Sequence, residues 1–331
     1  MTAQAEVRQS QPILKTVARV FRDQPLLPLL ILLAVLFAAF AILNPSANLS
    51  NIIATTIRSA VPLAILAGCQ TLAMLTGGID LSVTATASMA GFVVASLYTG
   101  GLSSLFVAIV VALLFAAVIG ALNGLGIGVF RVHPLIMTLG MSLVILGVAN
   151  AYQLLTVRTR SGVPPEIRWL GSAAEATFFP VSLLVFVPVA ILILVGLRRT
   201  GYGRLLYAVG DNPIAARLSG VKSWQVLLAL YIISALLAAL AGFLVSGFNN
   251  VASVTLVNSK LLPSVAAAVI GGTSILGGRG GFAGTIVGAL ILTIADALLS
   301  SLGFPEATRQ ILFGSIIIFV SAFYVRLTTE S

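Results

Sequence analysis

Long apolar runs follow one another along most of this chain, and only short polar or glycine-rich segments separate them. A helix of roughly 20 apolar residues crosses the hydrocarbon core of a bilayer. Runs of that length predict an all-α membrane protein with about ten transmembrane helices. The predicted spans are 25–43, 52–76, 81–99, 104–130, 134–156, 179–197, 224–246, 258–276, 281–301 and 308–326.

Composition strengthens this interpretation. Hydrophobic residues make up 59% of the chain and charged residues only 8%, whereas soluble domains carry about 25% charged residues. A soluble chain this apolar would expose more apolar surface than water tolerates. In lipid, helices satisfy their own backbone hydrogen bonds. A membrane β-barrel is disfavoured because its strands alternate apolar and polar residues.

Charge placement predicts an orientation. The formal net charge is +9, but the basic residues lie in termini and short loops and form no aromatic-lined basic face, so nucleic acid is not a predicted partner. Cytoplasmic loops of membrane proteins retain Lys and Arg. An even number of spans with both termini cytoplasmic gives a basic excess inside. The twelve inside are Arg8, Lys15, Arg19, Arg22, Arg131, Arg198, Arg199, Arg204, Arg217, Lys222, Arg279 and Arg326, and the five outside are Arg158, Arg160, Arg168, Lys260 and Arg309.

The chain divides into one membrane domain and two tails. Residues 1–24 form a predicted cytoplasmic tail without a small-residue cleavage site, 25–326 a single transmembrane domain, and 327–331 a short cytoplasmic tail. Cys69 lies inside an apolar run and is interpreted as a packing residue. Without a Cys/His cluster, no metal or other cofactor is predicted.

Enzymatic chemistry is not indicated. The sequence has no G-x-x-x-x-G-K-[ST] phosphate loop and therefore does not predict ATP hydrolysis by this chain. It also lacks G-x-S-x-G and H-E-x-x-H, and its one histidine, His133, offers little for acid–base catalysis. Transport is the expected activity. An ion-coupled secondary transporter is one alternative, although Asp296 alone is thin support for ion coupling.

The inner connection 198–223 contains a short capped helix. Asn212 or Asp211 suits the N-cap, Pro213 the first helical position, and Gly220 the position just past the end. The intervening IAARLS predicts about two turns, too short to span a membrane. From spacing alone, this helix either transmits force from a partner or simply completes an ordinary loop.

Three motifs resemble one permease family. They are LTGGIDLSV at 75–83, TGYGRLLYAVGDNPIAARLSGV at 200–221 and VAAAVIGGTSILGGRGGFAGTIVGALIL at 265–292. They are similar, in order, to motifs of ribose, xylose, arabinose and galactoside ABC permeases. The resemblance implies the permease subunit of a bacterial inner-membrane ABC importer for a monosaccharide or similar small polar solute. It also implies ABC ATPase subunits, a periplasmic substrate-binding protein and a second permease chain as partners in the bilayer.

The same resemblance implies where the ATPase docks. The implied coupling residues are Gly210, Asp211, Asn212, Pro213, Ala215, Ala216, Arg217, Ser219 and Gly220. Two departures put the inherited ligand specificity in doubt. Thr84 stands where the family usually has Gly, and KLLPSVAA, with Leu261 and Pro263, replaces a stretch that commonly carries an acidic pair.

Small residues at four-residue spacing predict close helix packing. Such residues share one helix face and let two backbones approach. The two runs, in the fourth and ninth predicted spans, are Gly120, Gly124 and Gly128, and Gly280, Gly284 and Gly288. Their placement indicates an inverted repeat that relates 52–156 to 224–326.

Polar residues inside or directly beside predicted spans are candidates for the transport path, because charge at membrane depth is costly. The candidates are Arg58, Gln70, Asp80, Asn123 and Asp296. Arg58 either pairs with Asp296 or extends its head group to the nearby surface. Asp80 followed by Ser82 also suits an N-cap for the third span. Gly77-Gly78 and the Gly271–Gly278 region are interpreted as broken helices or, given their inner location, as short turns.

Overall fold

The computed structural model describes residues 26–45, 48–156, 162–171 and 180–329. Every regular element in these ranges is helical. The helices are α1 (Leu26–Leu43), α2 (Leu49–Leu75), α3 (Val83–Leu97), α4 (Gly101–Gly128), α5 (Pro134–Thr156), α6 (Pro165–Gly171), α7 (Leu183–Arg199), α8 (Gly201–Asp211), α9 (Pro213–Leu218), α10 (Ser223–Asn249), a 3₁₀ turn (Asn258–Lys260), α11 (Leu261–Ile270), α12 (Phe282–Ser301) and α13 (Glu306–Thr329). The predicted tail 1–24 and Arg158 and Arg160 lie outside the described residues.

Six of the described helices are long and apolar enough to cross a membrane: α1, α2, α4, α5, α10 and α12. A seventh span results if α7 and α8, which meet at 68°, count as one broken span. The all-helical membrane class is therefore confirmed. A count of ten spans and the orientation of the termini stay predictions.

The predicted eighth span, 258–276, does not form one continuous helix. A 3₁₀ turn leads into α11, which has 10 residues and is followed by a turn from Gly271. At 1.5 Å per residue, such a helix is only about 15 Å long. The run is apolar because α11 is buried in the bundle, where Val265–Val269 are all at most 6% exposed. Its helix is too short to cross the hydrocarbon core of a bilayer.

Helix α10 lies at the centre of the bundle and packs against α2, α3, α4 and α6. Its side chains Leu230, Ala238 and Ala241 are fully buried in the core. Helix α4 presents small residues at four-residue spacing, including Ala108, Ala112 and Ala116, each 0% exposed. Small side chains let neighbouring helix backbones approach closely, as membrane helix packing requires.

Both halves of the chain show a similar order of helix lengths. A long helix of 27 residues (α2 and α10) is followed by a shorter helix (α3 and α11) and then by two helices of 20 or more residues. This order is the one that an inverted repeat would give. The repeat itself stays a prediction.

Candidate functional site

Helix α9 has the caps that its sequence predicts. Asn212 is the N-cap, and its Oδ1 accepts hydrogen bonds from the backbone N–H groups of Ile214 (3.1 Å) and Ala215 (2.9 Å). Pro213 occupies the first helical position. Past the end, Gly220 has φ +83°, and Val221 N donates to Ala216 O. A left-handed residue there is the usual glycine termination of a helix.

A second helix, α8, precedes α9 and was not predicted as a separate element. Thr200 caps it, because its Oγ1 accepts a hydrogen bond from Gly203 N at 3.1 Å. Leu206 and Val209 on α8 are buried against the bundle. A capping Thr directly before a run with apolar residues three apart was the signal available in the sequence.

The far end of α8 touches two glycine turns from different halves of the chain. Gly278 N donates to Leu75 O at 3.0 Å, which joins the turn after α2 to the turn before α12. Tyr207 Oη on α8 donates to Gly280 O at 2.8 Å. We call this meeting of 75–78, 207–211 and 277–280 the glycine junction.

The close contacts of the glycine junction require residues without a side chain. A Cβ on Gly210 would overlap the carbonyl oxygen of Leu75 and lie 2.9 Å from Gly278 N. A Cβ on Gly278 would lie 2.9 Å from the Cα of Asp211. Backbone cannot move aside as a flexible side chain can, so α8 is fixed directly to both turns.

The outer face of α9 carries large apolar side chains that are exposed. Ile214 is 69% exposed and Leu218 85% exposed, whereas Ala216 on the opposite face is 6% exposed. Beside α9 is a cleft of about 460 Å³ between α8 and α10. Its walls include Tyr202, Leu205, Gly220, Lys222 and Gln225. The other residues predicted for coupling (Asp211, Asn212, Pro213, Ala215, Arg217 and Ser219) are exposed on the same segment, and Gly210 is half-buried.

Three of the predicted transport-path residues come together in one buried cluster. Asp80 is 2% exposed, and its carboxylate accepts hydrogen bonds from Ser82 Oγ (2.6 Å), Ser82 N (3.0 Å) and Ser234 Oγ (3.2 Å). Gln70 Nε2 donates to Asp80 O at 2.8 Å, and Asn123 Nδ2 donates to Ser82 Oγ at 2.9 Å. The cluster therefore links α2, α4 and α10 to the start of α3.

The N-cap prediction for Asp80 is wrong in its detail. Ser82 is the N-cap residue of α3, without a side-chain capping bond. Asp80 instead bonds the backbone of Ser82 two residues on, the local pattern that Asp often adopts in turns. No basic side chain in the described ranges forms an ion pair with Asp80, so hydroxyl and N–H donors alone satisfy its carboxylate.

Arg58 and Asp296 do not pair with each other. The guanidinium of Arg58 lies over the ring of Phe248, 4.5 Å from the ring centroid, an arrangement that a cation and an aromatic face favour. Asp296 Oδ1 instead accepts from Arg309 Nη1 at 2.7 Å. The short connection between α12 and α13 brings Arg309, in the first turn of α13, back over Asp296.

The glycines predicted for helix packing lie at close approaches, with one exception. Gly120, Gly124 and Gly128 on α4 face the backbone of α10 at Tyr231, Leu228 and Trp224. On α12, Gly284 and Gly288 face the backbone of α11 at Gly271 and Ala267. The exception precedes α12: Gly280 has φ +131° and touches Thr273, so it belongs to the turn and not to a helix face.

The paired glycines at 77–78 and within 271–278 form turns rather than breaks inside membrane-spanning helices. Positive φ angles occur at Gly77, Gly272, Gly277 and Gly278, where glycine is favoured. These turns link α2 to α3 and α11 to α12. The alternative of short turns is thus the one that the structure adopts.

Comparison with known proteins defines the class of this chain. Residues 52–321 match a family described as the permease component of a branched-chain amino acid transport system. The chain is 33% identical to the ribose import permease protein RbsC of Escherichia coli K12 over 87% of its length and 90% of the relative's. It is 30% identical to the fructose import permease protein FrcC of Rhizobium meliloti (89% and 83%) and 32% identical to the galactofuranose transporter permease protein YtfT of Escherichia coli K12 (79% and 76%). No solved structure matches.

These matches cover nearly the whole bundle, from α2 through most of α13. The chain is a multi-pass membrane permease and a transport component rather than an enzyme. It belongs to the family of permease subunits of ABC monosaccharide importers.

Proposed function

We propose that this chain translocates a monosaccharide or similar small polar solute across a bacterial inner membrane, using ATP hydrolysed by a separate ABC subunit. The relatives named above are import permeases for ribose, fructose and galactofuranose. The observation that carries the ATP coupling is the capped α9 with its two exposed apolar side chains, fixed through α8 to the glycine junction.

The docking surface in this proposal is the exposed face of α9. Ile214 and Leu218 lie four residues apart and therefore project from one side of the helix. Burying a Leu or Ile side chain contributes about 1.5–3 kcal/mol. The caps hold α9 as a helix before a partner arrives, which lowers the entropy lost on binding. An ABC ATPase subunit with an apolar cleft is the partner that this surface suits.

Force then passes from α9 through α8 into the bundle. The glycine junction joins α8 to the turn that precedes α3 and to the turn that precedes α12. Displacement of α9 would therefore move both halves of the permease at once. Two permease chains would enclose the path, and a periplasmic binding protein would deliver the solute.

The charges around α9 support the proposed orientation. The basic residues at this end of the bundle are Arg131, Arg198, Arg199, Arg204, Arg217, Lys222 and Arg279. Cytoplasmic surfaces retain basic residues, so we place α9 in the cytoplasm. The opposite end, which carries the connections α1–α2, α10–α11 and α12–α13, then faces the periplasm.

Replacement of Leu218 by Glu tests the docking surface. The variant should fold normally, because Leu218 is 85% exposed, but it should lose co-purification with the ABC ATPase subunit. Loss of about 1.5–3 kcal/mol corresponds to roughly 10- to 150-fold weaker association. The matched control is Arg204→Ser, an exposed residue on α8. Unchanged co-purification of both Leu218→Glu and Ile214→Glu would rule out docking at α9.

A further inference from the structure

A cavity of about 250 Å³ lies at the end of the bundle opposite α9. Four elements form its walls: α2, the 3₁₀ turn with the start of α11, the second half of α12, and the first two turns of α13. Small-molecule sites typically measure about 300–1,000 Å³. This cavity is close to the lower limit, so it suits a compact solute.

The charges around the cavity balance. Lys260 and Arg309 contribute two cations, and Asp296 and Glu306 contribute two carboxylates. Arg309 Nη1 donates to Asp296 Oδ1 at 2.7 Å, and Gln310 Nε2 donates to Glu306 Oε1 at 3.1 Å. A solute with a net charge would lose its hydration here without meeting an excess of opposite charge. The lining therefore favours a neutral solute.

Several polar groups of the cavity have hydrogen-bonding capacity to spare. The hydroxyl groups of Ser59 and Ser259 and the ammonium group of Lys260 form no hydrogen bond or close ion pair within the described residues, although Asp296 and Glu306 attract Lys260 from a greater distance. Arg309 Nε is buried and also lacks a described partner. Buried polar groups normally have hydrogen-bond partners, protein or water. A solute with several hydroxyl groups could satisfy both the donors and the acceptors.

Apolar side chains complete the wall. Leu63, Leu292 and Phe313 line the cavity and are each at most 5% exposed. An arrangement with an apolar wall and a few placed polar groups is typical of sites for small organic molecules. A monosaccharide presents both kinds of surface, because its hydroxyl groups point outward from a ring whose C–H groups are apolar.

We propose that this cavity is a subsite of the transport path that takes a neutral, polyhydroxylated solute of monosaccharide size. The inference rests on the proposed transport function. It places the solute at the end of the bundle opposite α9. Lys260 and Ser259 would contact the solute from one side, and Asp296 and Arg309 from the other.

Thiol protection tests the subsite directly, because the natural chain has one cysteine and Cys69 is fully buried. Ser259→Cys places an accessible thiol in the cavity, and Ser300→Cys places one on an exposed position of α12 outside it. Each full-length variant is reconstituted in lipid nanodiscs and treated with N-ethylmaleimide. The unmodified chain reports any reaction of Cys69.

D-ribose and D-fructose are the probes, with ribose 5-phosphate and L-leucine for comparison. A neutral sugar should slow modification of Ser259→Cys, by about tenfold at a concentration ten times its Kd. Modification of Ser300→Cys should not change. No protection by either sugar through the millimolar range would overturn the proposal. Stronger protection by ribose 5-phosphate or L-leucine would overturn the assignment to a neutral polyhydroxylated solute.

Uptake into proteoliposomes separates failure of the subsite from failure of the transport proposal. The subsite predicts that Asp296→Asn and Lys260→Met raise the KM for sugar uptake more than they lower kcat. ATP-dependent uptake with an unchanged KM in both variants, and without thiol protection, would refute the subsite alone. Thiol protection without any dependence of uptake on ATP would refute the ABC mechanism and support the subsite.

Discussion

At the α9 end of the molecule, backbone packs on backbone: Gly210 contacts the Leu75 carbonyl, and the turns around Gly77 and Gly278 meet α8. At the opposite end, charged and hydroxyl side chains from four elements surround a cavity of about 250 Å³. A junction built mainly from backbone contacts is stiff, because protein backbone offers no rotamers that could absorb a displacement. A cavity lined by long side chains can adjust to a solute. The contrast suits a protein that receives force at one end and solute at the other.

The largest expected effect on stability is at the glycine junction. Gly210→Val would force branched carbons into the Leu75 carbonyl, and overpacking of this kind costs about 1–3 kcal/mol or more. We expect a lowered thermal transition and poor recovery of monodisperse protein in detergent. Gly147→Ala is the control, because a methyl there meets no atom within 4 Å. A Gly210→Val protein with unchanged stability would contradict the close contact on which the glycine junction rests.

Next comes the buried cluster that supports the start of α3. Asp80→Ala would leave the donors of Ser82 and Ser234 without an acceptor, which costs about 1–3 kcal/mol. We expect a thermal transition clearly below that of the natural chain. Asp80→Asn keeps an acceptor oxygen of similar shape and should lose less. Equal stability of Asp80→Ala and the natural chain would show that the cluster does not hold α2, α4 and α10 together.

A smaller and local effect is expected at α9. Asn212→Ala removes the acceptor for the Ile214 and Ala215 amides, and loss of an N-cap costs about 1 kcal/mol. Because α9 projects from the bundle, global stability should hardly change. Hydrogen exchange of the α9 amides should accelerate by roughly fivefold, and Asn212→Asp should restore protection. Equal acceleration throughout α8 would instead mean that the two helices unfold as one unit.

The smallest effect on stability is expected at the cavity opposite α9. Arg309→Gln breaks the ion pair with Asp296, whose side chain is 45% exposed. Exposed ion pairs contribute about 0–1 kcal/mol, and this pair should lie near the upper end of that range because the Arg309 side chain is only 19% exposed. The thermal transition should therefore shift little, although sugar uptake should weaken. A loss of stability as large as that of Gly210→Val would remove the distinction between the two ends.

How much the sequence predicts also differs between the ends. The caps of α9 follow from Asn212, Pro213 and Gly220, because capping is a local preference of these residue types. The packing role of Gly120, Gly124 and Gly128 follows from spacing, because a fixed helical period places them on one face.

Contacts between helices that are distant in the sequence could not be predicted from local sequence patterns. The pairing of Asp296 with Arg309 in place of Arg58 depends on how α13 turns back after α12, which no local pattern specifies. The predicted span 258–276 failed for a related reason, since a buried helix of 10 residues and a lipid-facing helix are equally apolar. The departure from the family pattern at KLLPSVAA acquires a location in three dimensions, because Lys260 and Pro263 line the cavity.

Transport reconstituted from separate parts tests the central claim most directly. The permease is placed in proteoliposomes with its ABC ATPase subunit and its substrate-binding protein, and uptake of radiolabelled D-ribose and D-fructose is measured with and without ATP. The proposed mechanism predicts sugar uptake that requires ATP and the ATPase subunit and that Leu218→Glu abolishes. Uptake that continues without the ATPase subunit, driven by an ion gradient, would contradict it.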